Sequence, residues 1–155
     1  MHNNYHFFHL PFKIKVQNVF ALCSLLFVLI MKQIISTPSA PAAIGPYSQA
    51  VKAGGFLYIS GQLPVNPQVG KIEATDISSQ TEQVFANISA ILTAADYSFA
   101  DVVKSTVFLA DISYFAEMND VYKKYYASEC PARSAFAVKA LPLGALVEIE
   151  TIAYK

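Results

Sequence analysis

Arg133, Glu148 and Glu150 are the residues whose types and spacing best suit chemistry on a small molecule. Arg133 follows Pro131-Ala132 and stands as a single arginine against eight lysines in residues 31–155. Where lysine is the default cation, one arginine has two readings: a strand-end cation facing water or a partner acid, or a planar fork for a carboxylate. Glu148 and Glu150 stand two apart, so on a strand they share one face while Val147, Ile149 and Thr151 take the other. That face is either solvated or holds a partly desolvated carboxylate able to orient and activate water. Smaller candidates lie elsewhere. Ser60-Gly61-Gln62 ends an apolar run, where glycine marks a bulge or a close approach of a ligand to the backbone. Gly45-Pro46-Tyr47 is a rigid turn presenting an aromatic hydroxyl, for packing or for a ligand. Asn119, amid apolar neighbours, is a surface residue or a pocket donor.

The rest of the composition narrows this chemistry. All three histidines (His2, His6 and His9) precede residue 31, and residues 31–155 hold one cysteine, Cys130. Nucleophile systems built on an imidazole are therefore excluded from that segment, and so is a zinc site of the usual Cys/His kind. One cysteine makes no internal disulfide, and without a nearby base it reads as inert. Two of the eleven Lys and Arg lie at Lys13 and Lys15, leaving nine against eleven Asp and Glu after residue 30. A net charge of −2 with no basic run argues against nucleic-acid binding as the main task.

The elements that must position these groups can be read from pattern. Residues 32–36 form a short β-prone run, and 37–46 are too rich in Pro for a continuous helix. Residues 49–53 and 56–60 flank Gly54-Gly55 as a hairpin. Residues 63–71, with two prolines and Gly70, form a loop. Asp76 caps a helix whose apolar stripe is Ile77, Thr81, Val84, Phe85, Ile88, Ile91, Leu92 and Ala95. Residues 102–109 alternate as a strand, with Val103, Ser105 and Val107 in phase. Ser113 caps a second helix with Phe115, Met118, Val121, Tyr122 and Tyr125 on one face. Residues 134–139 and 146–154 are the last strands, joined across Leu141-Pro142-Leu143-Gly144. The order β-β-β-α-β-α-β-β predicts a two-layer α/β sandwich, with two helices on one face of a sheet of about six strands. The other face mixes Ser60, Thr106, Glu148 and Glu150 with Val, Ile and Phe, as a surface buried between copies of one chain does.

Residues 1–30 do not share this pattern. Residues 19–30 are an apolar run that would span about 18 Å as a helix, short of the roughly 30 Å hydrocarbon core. Lysines upstream of a short apolar run match a signal peptide, but the small-x-small site Ala40-Pro41-Ala42 is poor and distant. The expected division is thus a leader, 1–30, outside the fold and a domain over 31–155. A start at Met31 predicts a cytoplasmic protein with no stable membrane span; a genuine leader predicts export or membrane association.

Four motifs taken together resemble one family. Ala40-Pro41-Ala42-Ala43-Ile44-Gly45-Pro46-Tyr47-Ser48-Gln49, Ser60-Gly61-Gln62-Leu63-Pro64-Val65-Asn66-Pro67, Cys130-Pro131-Ala132-Arg133-Ser134 and Val147-Glu148-Ile149-Glu150 closely resemble the RidA (YjgF/YER057c/UK114) family, in order and spacing, from Met31 to Lys155. The resemblance implies a chorismate-mutase-like α/β fold assembled as a homotrimer, with clefts between subunits. It also implies cofactor-independent hydrolysis of reactive 2-imino acids, 2-iminopropanoate and 2-iminobutanoate, to 2-keto acids and ammonia. Arg133 would fork the substrate carboxylate, with main-chain groups near Ser134 and Ala135 completing that pocket. Glu148 would hold the attacking water, while Tyr47, Ser60, Gly61 and Asn119 would shape the cleft.

Ala135 departs from the many bacterial members that carry Cys there. The departure bears on thiol-dependent behaviour, not on hydrolysis through water. Two other readings compete: a non-catalytic trimer that binds small carboxylic acids and regulates a partner, and an RNA-cleaving role. The second is the weaker, for want of histidine and phosphate-binding cations.

Overall fold

The computed structural model describes residues 31–155, and the readings made of residues 1–30 lie outside the described residues. Six strands form one mixed sheet: β1 (Gln33–Ile35), β2 (Ala50–Ala53), β3 (Phe56–Gln62), β4 (Val102–Leu109), β5 (Ala132–Ala137) and β6 (Val147–Tyr154). Their spatial order is β1-β2-β3-β6-β4-β5. Only β4 and β5 run parallel; the other neighbours are antiparallel. Helices α1 (Ile77–Ala94) and α2 (Phe115–Tyr125) connect β3 to β4 and β4 to β5. This is the two-layer α/β architecture that the element order predicts.

Both helices cover the same face of the sheet. Leu57, Ile59, Val107, Leu109, Val147, Ile149 and Ala153 of the strands meet Val84, Phe85, Ile88, Ile91, Leu92, Met118 and Val121 of the helices. Removing these side chains from water is the main force holding the layers together. Asp76 caps α1 as expected, its Oδ1 accepting from Ser79 N at 2.8 Å. On the opposite face Tyr58, Lys104, Thr106, Glu150 and Ile152 line a shallow concavity, and Phe56, Phe136 and Tyr154 are exposed beside it.

Three local expectations need correction. Ser113 does not cap α2. A 3-10 turn, Ile112–Tyr114, comes first, and the Asp111 carboxylate accepts from Ser113 N at 2.8 Å. That bond, from a carboxylate to the N–H two residues on, is the Asx type of turn that Asp favours, and the α-helix starts at Phe115. Strand β5 begins at Ala132 rather than 134, because pairing with β4 starts once Pro131, which lacks an N–H, has been passed. It ends at Ala137, where its partner β4 ends at Leu109. In β4 the alternation breaks at Val103. The register with β6 shifts between Val102 and Lys104, leaving Val103 44% exposed while Ser105 and Val107 stay buried. A bulge has inserted one residue and turned the strand's phase.

Candidate active site

A second bulge builds the first half of the site. Between Ile59 and Gln62 the register of β3 against β6 shifts, so Ser60 and Gly61 oppose Glu150 alone. The strand therefore continues to Gln62, beyond the expected end at residue 60. A Cβ built on Gly61 would fall inside the Glu148 carboxylate, and would lie 3.2 Å from Glu148 Cγ. The absent side chain is thus the space in which Glu148 lies. Glu148 and Glu150 share the sheet face away from the helices, as their spacing predicts, with Val147, Ile149 and Thr151 buried on the other.

Tyr47, Ser60, Gly61 and Glu148 come together along one groove of about 470 Å³, walled by Ile44, Leu63, Pro142 and Leu143. Burial pushes the Glu148 carboxyl above its ordinary value, and the neighbouring Glu150 charge adds to that shift. Ser60 Oγ donates to the Ser48 carbonyl at 2.7 Å, which leaves the hydroxyl oxygen as an acceptor toward the groove. Tyr47 N donates to Gly45 O at 2.8 Å, and the tyrosine ring lies close against Gly45.

The loops that wall this groove are held by buried amides that sequence reasoning did not single out. Gln49 Nε2 donates to the carbonyls of Thr37, Ala40 and Pro41, and its Oε1 accepts from Thr37 N at 2.7 Å. Asn87 Nδ2 donates to Leu63 O and Val65 O, both at 3.0 Å. Gln80 Oε1 accepts from Leu146 N at 2.8 Å, while its Nε2 donates to Ala74 O. Irregular backbone near a core must find partners, and these three side chains supply them. A signal was present for two of them: Gln80 and Asn87 stand seven apart on α1, within the spacing of Ile77, Val84 and Ile91.

Arg133 belongs to a second half, on a different part of the fold. Its Nη1 donates to Asn119 Oδ1 at 2.9 Å. Its guanidinium carbon lies 4.5 Å from the Tyr122 ring centroid and 5.5 Å from that of Phe115. Asn119 is thus an acceptor for the arginine, where sequence left a surface residue or a donor. Ser134 points to the opposite face, its Oγ accepting from Lys104 Nζ at 2.8 Å. Ala135 packs at the edge of the core. Strand β5 is a sheet edge, so main-chain groups on its outer side have no ladder partner among the described residues.

One chain does not bring Arg133 and Glu148 together. Arg133 pairs with Ser105 across β4, and Ser105 pairs with Thr151 across β6. These residues face the helices, whereas Glu148, three positions from Thr151, faces the other way. Two strand spacings and three residues along the strand place the two Cα atoms about 14 Å apart, with side chains on opposite faces.

Among the described residues no group of three or more His, Cys, Asp and Glu is placed to hold a metal ion, and no helix is long and apolar enough to cross a membrane.

Comparison with known proteins agrees on one family. Residues 37–155 match the family model described as Endoribonuclease L-PSP. The 2-iminobutanoate/2-iminopropanoate deaminase of Bos taurus is 52% identical over 124 residues, covering 80% of this chain and 90% of that one. The crystal structure of RidA from Psychrobacter sp. PAMC 21119 is 50% identical with a TM-score of 0.77, covering 79% of this chain and 99% of that one. The structure of E. coli TdcF with bound serine is 42% identical with a TM-score of 0.76, covering 79% and 98%. The chain belongs to the RidA (YjgF/YER057c/UK114) family, the family of the Endoribonuclease L-PSP model.

Proposed function

We propose that this protein is an imine deaminase. It hydrolyses 2-iminopropanoate and 2-iminobutanoate to the corresponding 2-keto acids and ammonia, in a homotrimer whose sites lie between subunits. The observation that carries the reading is Glu148, a carboxylate of raised proton affinity seated on a glycine in a groove. The relatives named as deaminases of these imines support the substrate class.

A 2-imino acid carries an electrophilic C=N carbon beside a carboxylate. Arg133 forks that carboxylate with the N–H groups that Asn119 leaves free, and main-chain groups of β5 near Ser134 and Ala135 complete the pocket. Glu148 orients a water and takes its proton as oxygen bonds to the C=N carbon. The imine nitrogen gains the protons, the C–N bond breaks, and ammonia leaves a C=O behind. Tyr47, Ser60 and Gly61 shape the groove and exclude bulk water. These steps require no cofactor. Removal of such imines, which dehydratases acting on serine and threonine release, would protect pyridoxal-phosphate enzymes from attack. The working unit is the domain over 31–155. The RNA cleavage implied by the family description finds no histidine in that segment to serve it.

Because Arg133 and Glu148 lie on opposite faces of one chain, each site takes its arginine from one subunit and its glutamate from a neighbour. The test is complementation. The imine is generated in situ by a dehydratase, and release of keto acid is followed in the presence of a trap. Arg133→Ala and Glu148→Gln chains are each expected to be inactive alone. Mixed after dissociation and reassembly, they should recover up to roughly a quarter of wild-type activity, the share of sites that random assortment completes. No recovery from reassembled trimers would overturn the shared site. No acceleration by wild type would leave a carboxylate-binding protein instead.

A further inference from the structure

Most of the sheet face beneath the helices is aliphatic, but one row is not. Ser105 of β4 has Arg133 as its register partner on β5 and Thr151 as its partner on β6. Tyr122 and Tyr126 of the α2 segment lie with their rings 4.7 Å apart. The hydroxyls of Ser105, Thr151, Tyr122 and Tyr126 are all buried, in residues no more than 5% exposed, and none is hydrogen-bonded to a partner among the described residues. The Ser105 hydroxyl is near enough to both tyrosine hydroxyls to bias their proton affinity downward against the effect of burial. The Ser105 hydroxyl thus meets those of two tyrosines, with Thr151 beside it on the next strand, where valine or phenylalanine would pack at lower cost. The exception lies under Arg133.

We infer that Tyr122 is a positioning residue for the Arg133 fork, its ring carrying the guanidinium and its hydroxyl held in a buried cluster with Ser105, Tyr126 and Thr151. Phe115, Asn119 and Tyr122 stand four and three apart on α2, so they present one stripe, and all three touch Arg133. A ring on the guanidinium face attracts the cation without occupying its N–H edge. Asn119 takes one N–H. The remaining edge stays available for a carboxylate, in a plane that the core sets and not the cleft. Hydroxyls suit the space behind the ring because they rotate and can turn their oxygens toward the half-buried cation. Leu or Val there would leave the cation without that compensation.

This inference rests on the proposed carboxylate clamp, so the experiment separates the two. Full-chain trimers of wild type, Arg133→Ala, Tyr122→Leu, Tyr122→Phe and Ser105→Ala are compared for KM, kcat and affinity for propanoate, a carboxylate with no imine. Tyr122→Leu is expected to raise KM and weaken propanoate about tenfold, between the worth of an exposed and of a desolvated cation–π contact, with kcat within about twofold. Tyr122→Phe and Ser105→Ala should each weaken propanoate by a smaller factor, and the double variant should be no worse than the poorer single one. These two stay informative if Tyr122→Leu fails to fold. Unchanged propanoate affinity in folded Tyr122 and Ser105 variants, beside a large loss in Arg133→Ala, overturns the positioning role alone. Unchanged affinity in Arg133→Ala removes the clamp and this inference with it.

Discussion

Glu148 and Arg133 are both charged, both on strands and both partly buried, yet the fold surrounds them in opposite ways. Around Glu148 it takes matter away. A glycine leaves the carboxylate room, a bulge sets Ser60 and Gly61 against one partner, and the charge that adds to the effect of burial is a second glutamate's. Around Arg133 it adds matter: two rings, a side-chain amide and a buried hydroxyl row. The difference follows from what each group is asked to do. A carboxylate that takes and returns a proton works best when its charged form is not over-stabilised. A guanidinium that holds a planar ligand by its N–H edge needs only a fixed plane. One half-site is tuned by desolvation and the other by packing.

The sharpest test of the contrast is Glu148→Gln. It keeps shape but removes the base, so kcat should fall about 10²- to 10⁴-fold while affinity for a simple carboxylate stays. Stability should move the other way. The folded-state pKa of Glu148 lies above its unfolded value. Its contribution to stability is therefore full below the unfolded pKa and is lost as pH rises through the folded one. At neutral pH Glu148→Gln should melt no lower than wild type, as thermal unfolding at pH 7 and pH 4 would check. A marked fall in Tm at pH 7 with normal turnover would break the idea that this half is tuned by desolvation.

Arg133→Ala comes next. It removes a charge-assisted fork worth roughly 2–4 kcal/mol, and kcat/KM should fall on the order of 10²-fold or more. Arg133→Lys should rescue poorly, because a point charge copies neither the fork nor the stack. Steady-state kinetics on trimers of normal mass would decide it. Normal activity in Arg133→Ala would leave this half of the comparison without a function.

Between these two groups lies the limit of what could be read in advance. Helix α1 and its Asp76 cap, strand β4 and the two-faced alternation of β6 follow from local spacing, and the structure has all three. The separation of Arg133 from Glu148 does not. It depends on β4 lying between β5 and β6, whereas chain order makes β5 and β6 consecutive. The bulge in β4 escapes for a related reason, since an inserted residue is defined by the partner strand it mismatches, whereas Gly61 marked the β3 bulge as one of its two readings. Gln49 looked like part of a strand, and its role as a staple for residues 37–41 rests on contacts that no periodicity encodes. The candidate residues themselves were legible as types in motifs; their division into two groups was not.

Gly61→Ala probes the carboxylate half by adding what the fold left out. The new Cβ would displace the Glu148 carboxylate, and a misplacement of about 1 Å in a reacting group costs up to about 10²-fold. Loss of kcat/KM between about tenfold and a hundredfold is expected, with propanoate affinity nearly unchanged because Arg133 is not disturbed. Equal losses of turnover and carboxylate affinity would mean that the two halves are coupled more tightly than their placement implies.

Glu150→Gln should have the smallest effect and the most specific one. Burial is the larger cause of the raised Glu148 pKa, and the Glu150 charge two residues away is the second. Removing that charge leaves the desolvation in place, so the acid limb of the kcat/KM profile should move to lower pH without reaching the ordinary carboxylate range. At neutral pH the rate should stay within about twofold. The direction matters more than the size. A base held up by a neighbouring charge titrates more easily once the charge is gone, whereas a base held up only by burial does not move. An acid limb that stays in place in Glu150→Gln, yet disappears in the residual activity of Glu148→Gln, would assign the shift wholly to burial and leave Glu150 to the open sheet face.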